Sequence, residues 1–336
     1  MMEKLNVCPS TLAEGYDTFS PTARKLLFDD REVSPVLPFD SPNNENSTDK
    51  EEYARHVGRI SLSGVQPKAS LLLNSENQLV RPLEGERGQY ILKPAPSSYS
   101  LLERKYCPAN EHVSMQIASQ VYHIETAANG LCFFRDGEMA YLTRRFDVAS
   151  DGSKYQQEDL ASLSGLTKAN GGSDYKYSNL SYEECAEIIR RYTKAAPVEI
   201  LKFFRIVVFN YLILNDDAHL KNFSLMNRGD GEYHLTPAYD LINTSLHLYE
   251  PRIFALDKGL FREGMVFSDV HTVSRTDFEE FGRRIGLSAR LVSRELDFFA
   301  SEHPLVKELI SRSFLSEQLQ RSYWLSFNYR RTTLTK

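Results

Sequence analysis

Two acidic residues and one asparagine in the middle of the chain have the types and the spacing of a phosphoryl-transfer site. Asp217 and Asn222 lie five residues apart in the polar segment 214–222, and Asp240 follows in segment 237–241. In a kinase catalytic loop, an aspartate and an asparagine at this offset accept the substrate hydroxyl proton and hold a metal ion, and a later aspartate binds a second metal position. The spacing predicts Mg-ATP phosphoryl transfer.

The same short pattern has a second, purely structural interpretation. Aspartate and asparagine side chains also bond to nearby backbone groups in helix caps and turns. Segment 214–222 follows the apolar run 206–213, which is typical of a buried element that ends in a surface loop. Whether the loop is catalytic depends on what other residues the chain brings to it.

A lysine and a glutamate in the first half of the chain could complete a nucleotide site. Lys93 closes the apolar strand pattern 89–93, and Glu111 lies in the next helical pattern, 110–120. Kinases use a strand lysine to contact ATP phosphates and a helix glutamate to hold that lysine. A lysine at a strand end and a glutamate in a first helical turn are also common as solvated residues, so the pair is a prediction.

Segment 61–68 resembles a phosphate-binding turn. Ser61, Ser63 and Gly64 precede Lys68 and the first strong strand pattern, and turns of this kind can direct backbone N–H groups at phosphate. The segment lacks the two further glycines of the protein-kinase loop. A Ser-Gly turn before a strand is otherwise commonplace.

The order of the elements predicts an α+β protein with a two-lobed, protein-kinase-like fold. Strand patterns dominate residues 59–149, with Asp136-Gly137 as a hairpin turn, and helical patterns dominate 150–336. Ser181 and Glu184 form a candidate capping box, and a continuous helix is predicted over 305–320. The domains are therefore a leader (1–58), which we expect to be partly ordered, a β-rich N-lobe (59–149) and a helical catalytic C-lobe (150–336).

Composition excludes several other classes of protein. The 336 residues are 41% hydrophobic, which supports a sizeable core, and the net charge of -5 argues against a protein that mainly coats nucleic acid. The four cysteines have no metal-ligand spacing and are expected to be reduced. No signal peptide or spanning segment is evident, which predicts a cytoplasmic protein without membrane contact, while delivery into a host cell stays open.

Seven motifs in order resemble the HipA family of bacterial toxin kinases over about residues 59–325. They are Ser-Leu-Ser-Gly-Val-Gln-Pro-Lys (61–68), Ile-Leu-Lys-Pro (91–94), Asn-Glu-His (110–112), Arg-Arg-Phe-Asp (144–147), Gln-Glu-Asp (157–159), Asp-Ala-His-Leu-Lys-Asn-Phe (217–223) and Ala-Tyr-Asp-Leu (238–241). The short leader and the double-serine loop are most similar to the HipT branch.

The resemblance implies a serine/threonine kinase that uses ATP and Mg²⁺, with Asp217 as catalytic base and Asn222 and Asp240 as metal ligands. It also implies autophosphorylation of Ser61 or Ser63, which would compete with ATP for the phosphate loop. The nucleotide-binding residues implied by motif position are Ser63, Gly64, Val65, Gln66, Lys93, Glu111, Arg144, Phe146, Gln157, His219 and Tyr239.

The resemblance further implies partners. Family members phosphorylate aminoacyl-tRNA synthetases, which inhibits translation and is linked to persistence, and a helix-turn-helix antitoxin of HipB type restrains them. DNA would then be contacted only through the antitoxin. In the HipT branch a small HipS-like protein replaces a missing N-terminal subdomain, which is a further candidate partner.

Two peripheral segments carry weaker expectations. Residues 168–177 are predicted to form a mobile surface loop that could contact substrate, and Arg330 and Arg331 are predicted to lie in a solvated tail. Two rivals to the protein-kinase hypothesis also remain: a small-molecule kinase, and a catalytically inert scaffold or co-repressor.

Overall fold

The structure is a computed structural model, and it divides into a β-rich part and a helical part. It describes residues 5–43, 57–58, 68–98, 100–149, 151–177, 180–266 and 273–335, with backbone only at 57–58. No helix among the described residues is both long enough and apolar enough to cross a membrane.

An antiparallel sheet forms the centre of the β-rich part. Among the described residues its strands are β1 (Val57–Gly58), β2 (Lys68–Leu73), β3 (Leu79–Val80), β4 (Tyr90–Pro94), β5 (Asn129–Phe133) and β6 (Met139–Arg144). Their order is β1-β2-β4-β6-β5, with β3 paired to β2. The predicted hairpin at Asp136-Gly137 is confirmed, because β5 and β6 pair around it and Gly137 has the positive φ of +91° that the turn needs.

Alternation along β4 sends neighbouring side chains to opposite faces of the sheet. Leu92 packs into an apolar cluster that includes Leu27 and Phe28 of helix α1 (Pro21–Phe28), on the outer face. Lys93, the next residue, is buried on the other face, where its Nζ reaches Glu111 of helix α2 (Cys107–Gln120). A charged residue therefore lies on the face of β4 that is directed to α2.

The leader belongs to this β-rich part instead of standing apart from it. Residues 5–43 cover the outer face of the sheet: Tyr90 Oη donates to Leu27 O at 2.8 Å, and Phe133 N donates to Pro35 O at 2.8 Å. Apolar side chains scattered along this segment, such as Phe19 and Phe39, are buried there. A sheet with two apolar faces needs a cover on each, and this segment supplies one.

The helical part surrounds a long buried helix. Its elements are β7 (Gln156–Asp159), α3 (Leu160–Leu163), α4 (Lys168–Gly171), α5 (Tyr182–Tyr192), α6 (Ala196–Leu212), β8 (Ser224–Asn227), β9 (Tyr233–Leu235), α7 (Arg275–Arg284), α8 (Ala289–Ala300), α9 (Pro304–Arg312) and α10 (Glu317–Thr333). Strands β7, β8 and β9 form a small antiparallel sheet in that order. The predicted capping box of Ser181 and Glu184 is confirmed at the start of α5.

The C-terminal region differs from two expectations. The helix predicted over 305–320 is two helices, because the chain turns after α9 and Ser316 caps α10 by accepting from Leu319 N. Arg331 is buried instead of solvated: its Nη1 donates to Ala300 O at 2.6 Å and its Nη2 lies 3.1 Å from Glu302. The end of the chain is thus part of the helical core.

Candidate active site

Lys93 is the centre of a buried ion cluster between the two parts of the molecule. Its Nζ lies 2.5 Å from Glu111 Oε1 and 2.5 Å from Asp240 Oδ1, and 5.1 Å from the centre of the Tyr141 ring. Burial alone would lower the pKa of Lys93, but the carboxylates of Asp240 and Glu111 raise it. The predicted ion pair of Lys93 and Glu111 is present, and the lysine is held charged in one position.

Asp240 joins this cluster from the helical part. Its Oδ2 lies 3.6 Å from Lys68 Nζ, so two lysines surround one carboxylate. Burial alone would raise the pKa of Asp240, but Lys68 and Lys93 hold it well below its usual range. The backbone of Asp240 is left-handed, with φ of +57°, a conformation that costs free energy in a non-glycine residue and is often kept at functional sites.

The loop after α6 positions the base candidate and the asparagine together. The loop begins at Leu214, where φ is +51°, and Asn215 Oδ1 accepts from Asp217 N at 3.2 Å. Asn222 Nδ2 donates to Asp217 O at 2.8 Å, which leaves its amide oxygen for another partner. Asn215 Nδ2 donates to Asp240 O at 3.0 Å, so this loop and the Asp240 segment are fixed relative to each other.

Asp217 is in contact with a tyrosine that no motif predicted. Tyr177 Oη donates to Asp217 Oδ1 at 2.5 Å, and His219 Nε2 lies 3.9 Å from the same oxygen. Burial raises the pKa of Asp217 to about 6, although the Tyr177 hydrogen bond and the charge of Lys176 oppose the rise. An aspartate with a pKa of about 6 is a better proton acceptor near neutral pH than an ordinary one.

His219 is held neutral. Burial lowers the pKa of His219 to about 3, and its ring packs edge-on against Tyr177 at 5.1 Å. Its Nδ1 is buried and has no hydrogen-bond partner within the described part of the chain. The imidazole therefore contributes shape and a neutral polar group beside Asp217, and not a positive charge.

Aromatic residues connect the two parts at Phe146 and Tyr239, two of the predicted nucleotide-binding residues. The rings of Phe146 and Tyr239 lie 5.7 Å apart, and Tyr239 Oη donates to Lys221 O at 2.9 Å. Gln157 lies on β7, paired with Met226 of β8. The structure thus places Phe146 next to Tyr239. Tyr239 directly precedes Asp240 in the chain.

Arg144 has a partner other than a nucleotide. Its guanidinium binds Asp29 through two contacts, of 2.7 and 2.8 Å, at the end of helix α1. This pair ties β6 to the N-terminal segment. The predicted nucleotide contact of Arg144 stays a prediction.

The predicted phosphate loop lies outside the described residues. Ser61, Ser63, Gly64, Val65 and Gln66 are all in segment 59–67, which the structure does not describe. Its last motif residue, Lys68, is described, and its Nζ is directed to Asp240. Lys68 therefore joins the candidate site, although the sequence analysis had assigned no role to it.

The donor groups fit Mg²⁺ with bound phosphates. Asp240 and Asn222 offer carboxylate and amide oxygens, which are the ligands that Mg²⁺ prefers. Among the described residues no group of three histidine, cysteine, aspartate or glutamate side chains could hold a metal ion. Magnesium in kinases takes few protein ligands and completes its shell with water and phosphate, so the carboxylate of Asp240 and the amide oxygen of Asn222 suit a Mg-nucleotide.

The bilobal fold, with a lysine–glutamate pair in one lobe and an aspartate–asparagine loop in the other, defines a protein of the kinase-like class. The chain belongs to the HipA-like C-terminal domain family, whose profile matches residues 60–303. The family predicted from the motifs is therefore confirmed.

Related sequences agree with this family. A Haemophilus influenzae protein described as a "Putative kinase" is 28% identical over 319 residues, which cover 90% of this chain and 89% of that protein. A Sinorhizobium fredii protein described as "Putative kinase Y4dM" is 33% identical over 200 residues, or 55% of this chain. The match covers 45% of that longer Sinorhizobium protein.

Two solved structures share the fold. A chain of the Shewanella oneidensis MR-1 toxin–antitoxin complex of HipA, HipB and operator DNA matches with a TM-score of 0.61 and 20% identity, covering 82% of this chain and 64% of that one. The Helicobacter pylori proinflammatory kinase CtkA matches with a TM-score of 0.52 and 15% identity, covering 82% of this chain and 90% of CtkA. The two-lobed kinase-like fold is thereby confirmed.

Proposed function

We propose that the chain is an ATP-dependent serine/threonine protein kinase and the toxin of a HipA-type toxin–antitoxin system. The observation that carries this proposal is the position of Lys93, which bridges Glu111 and Asp240 across the two lobes. Structure alone does not require a lysine at 3% exposure between two carboxylates, because an apolar cluster of the same volume is often as stable. Phosphate binding would explain why charged side chains lie at this buried position.

Each residue has a role in the proposed transfer. Lys93 would bind phosphate oxygens of ATP, with Glu111 holding it in place, and Asp240 and Asn222 would hold Mg²⁺, which when bound would supply positive charge to the phosphates. Asp217 accepts the proton of the acceptor hydroxyl. The acceptor oxygen then forms its bond to the γ-phosphorus, the bond to the bridging oxygen breaks, and ADP leaves.

Most of the rate enhancement would come from alignment and charge. Phosphoryl transfer needs little covalent chemistry from the protein, so the fixed positions of Lys93, Asp217 and Asp240 are the main contribution. The hydrogen bonds of Asn215 to Asp217 N and Asp240 O hold these two carboxylates in fixed relation. His219, Phe146, Tyr239 and Gln157 would line the nucleotide site.

The proposed partners follow the family. The acceptor is an aminoacyl-tRNA synthetase, and a helix-turn-helix antitoxin of HipB type restrains the chain, as the Shewanella HipA structure was solved with HipB and operator DNA. Autophosphorylation of Ser61 or Ser63 would block the phosphate loop. A small HipS-like protein is a further candidate partner, and the site of action is the cytoplasm.

The test is a transfer assay on the full chain. Purified protein is incubated with Mg-ATP, alone and with a bacterial lysate, and phosphate is located by intact-mass and phosphopeptide analysis. We expect phosphate on Ser61 or Ser63 and on a synthetase. A chain that binds ATP but transfers no phosphate would contradict the proposal and favour the scaffold, whereas transfer only to a small alcohol would favour the small-molecule kinase.

A further inference from the structure

A short loop of the N-terminal segment crosses the edge of the large sheet and reaches helix α2. Residues 8–12 form this N-terminal loop, and the antiparallel bridge of Val7 and Glu14 closes its base. Cys8 is buried in the apolar cluster on the outer face of the sheet, whereas Leu12 is buried in the cluster that contains the apolar side chains of α2. The loop therefore passes from one face of the sheet to the other.

One side of the N-terminal loop is fixed to β5, the strand at the end of the described sheet order. Leu131 N donates to Pro9 O at 2.7 Å, and Ser10 Oγ donates to Asn129 O at 2.7 Å. Between these two strand residues, Gly130 approaches the loop so closely that a Cβ there would lie 3.2 Å from Pro9 O and from Ser10 Cβ. The edge strand is thus a close-packed support for the loop.

The other side of the N-terminal loop is bonded to α2. His112 Nε2 lies 2.7 Å from Ser10 O, and because a carbonyl oxygen only accepts, this ring nitrogen carries the hydrogen and donates. Gln120 Nε2 donates to Thr11 O at 2.9 Å. Burial lowers the pKa of His112 to about 4, so the ring stays neutral near neutral pH. Two carbonyls of the loop therefore hold α2 at two points.

His112 directly follows Glu111, whose carboxylate lies 2.5 Å from Lys93 Nζ. Neighbouring residues of a hydrogen-bonded helix move together, so a shift of α2 at His112 also shifts Glu111. The helical part anchors the same helix separately, since Asn110 Nδ2 donates to Asn243 O at 2.8 Å. In protein kinases the strand lysine and the helix glutamate must be paired for transfer, and the position of this helix controls the pair.

We propose that the N-terminal loop is a positioning element that holds Glu111 against Lys93, with His112 as the positioning residue. The loop braces α2 against the edge strand, and the bond from His112 to Ser10 O transmits this support to the next residue of the helix. The inference rests on the proposed kinase function and adds the residues that keep its phosphate site assembled.

A double-mutant cycle between His112 and Glu111 tests the proposal in the full chain. His112→Phe removes the donor to the loop, and Glu111→Gln removes the carboxylate through which the loop would act. Mg-ATP affinity is measured by calorimetry, and the rate of transfer is measured in a single turnover. We expect His112→Phe alone to reduce both about tenfold, the scale of one lost buried hydrogen bond, and to leave the KM for the acceptor unchanged.

The decisive comparison is made in the Glu111→Gln background. If His112 acts through Glu111, adding His112→Phe to Glu111→Gln should change Mg-ATP affinity by less than about twofold, because effects on one coupled pair are not additive. A purely structural role would give the same loss in both backgrounds and would overturn the proposal.

Two further variants separate the contact from damage to the fold. His112→Gln keeps an N–H donor of similar reach and should restore affinity and rate to near the wild-type values. Gly130→Ala presses on the N-terminal loop from β5 without changing α2. It should lower Mg-ATP affinity in the wild-type background and not in the Glu111→Gln background, so it decides the question even if His112→Phe does not fold.

The matched control breaks a different bond of the N-terminal segment. Tyr90→Phe removes the hydrogen bond from Tyr90 Oη to Leu27 O, which ties the same segment to β4 and not to α2. It should lower the midpoint of denaturant unfolding and leave Mg-ATP affinity at the wild-type value. A loss of affinity in Tyr90→Phe equal to that in His112→Phe would show that any loosening of the segment has this effect, which contradicts the assigned role of His112.

The outcomes also distinguish the inference from the function on which it rests. If the wild type transfers phosphate while His112→Phe or Gly130→Ala keeps wild-type affinity, or loses it equally in the Glu111→Gln background, the inference fails and the kinase function stands. If the wild type transfers no phosphate to any acceptor, the proposed function fails and the inference fails with it.

Discussion

The two sides of Asp217 are built differently. On the phosphate side, Lys93 is buried and paired with both Glu111 and Asp240. On the other side, a cavity of about 440 Å³ is lined by Asp216, whose Oδ2 accepts from the backbone N–H of Arg252 at 3.0 Å. In a site for one invariant ligand, the side chains can be held in position before the ligand binds. In a site for a protein chain, space and unpaired polar groups must be left open to the partner.

The same contrast separates residues that the sequence could predict from residues that it could not. Lys93, Glu111, Asp217, Asn222 and Asp240 were predicted, because phosphoryl transfer fixes both their types and their spacing. Tyr177, which donates a hydrogen bond to Asp217, was not assigned a role of its own, because no motif fixes its spacing from that aspartate.

The largest expected effect is on transfer, through Asp240. Asp240→Asn removes a carboxylate that faces Lys68 and Lys93 and that is proposed to hold Mg²⁺. We expect the rate of transfer to fall about a hundredfold or more, because fixed charge at the reacting phosphates is usually a large part of the catalytic effect. Single-turnover transfer from Mg-ATP measures this loss. Asp230→Asn is the control. If Asp240→Asn transfers phosphate at the wild-type rate, Asp240 has no role in the transfer.

The next effect is on stability, through Lys93. Lys93→Met leaves the buried carboxylate of Glu111 and the partly buried carboxylate of Asp240 without their shared cation, which should reduce the free energy of unfolding by about 3 kcal/mol. Denaturant unfolding at several pH values measures this difference.

The pH dependence of that loss has a defined sign. Because Lys93 and Lys68 depress the pKa of Asp240 in the folded state, the stabilisation is present above the usual aspartate pKa of about 4 and is lost as the pH falls through the folded value. The difference between Lys93→Met and wild type should therefore shrink in acid. A difference that is constant with pH would show that lost packing, and not charge, causes it.

A smaller effect is expected on the side of the cavity, at Tyr177. With a pKa of about 6, Asp217 is mostly ionised at pH 8 and increasingly protonated below pH 6, so kcat should fall in acid. Tyr177→Phe removes a hydrogen bond that lowers this pKa, so the acidic limb should move to higher pH, with a loss of about tenfold at pH 6 and less at pH 8.5.

The control for this prediction lies in the same loop. Tyr175→Phe changes a tyrosine that bonds to Lys221 and not to Asp217. The pH profile of kcat measured for both variants decides the question. If Tyr177→Phe keeps the wild-type profile, the hydrogen bond does not tune the base.

The smallest effect is expected at Arg144. Arg144→Gln breaks an ion pair whose partner, Asp29, is 71% exposed, so the free energy of unfolding should change by about 0.5 kcal/mol. ATP affinity should not change if Asp29 is the true partner of this side chain. Calorimetric titration with Mg-ATP measures the affinity. A tenfold loss of ATP affinity in Arg144→Gln would show that Arg144 contacts the nucleotide.

The fold could be predicted where the sequence carries a regular apolar period or a clear turn or cap signal. It could not be predicted where the segment that covers the sheet has no regular apolar period. The hairpin of β5 and β6 and the helix α5 follow from a turn dipeptide and a capping box. The N-terminal cover of the sheet was missed because its apolar residues, such as Phe19 and Phe39, follow no period. The break between α9 and α10 was missed because apolar spacing continues across it, although Ser316 carries the cap signal.

The most direct test is phosphate incorporation from radiolabelled ATP by the wild-type chain, Asp217→Asn and Asp230→Asn at pH 8, where Asp217 is ionised. If Asp217 is the proton acceptor beside the phosphate site, wild type and Asp230→Asn label an acceptor and Asp217→Asn does not, while all three bind ATP. Labelling by Asp217→Asn at the wild-type rate would contradict that role.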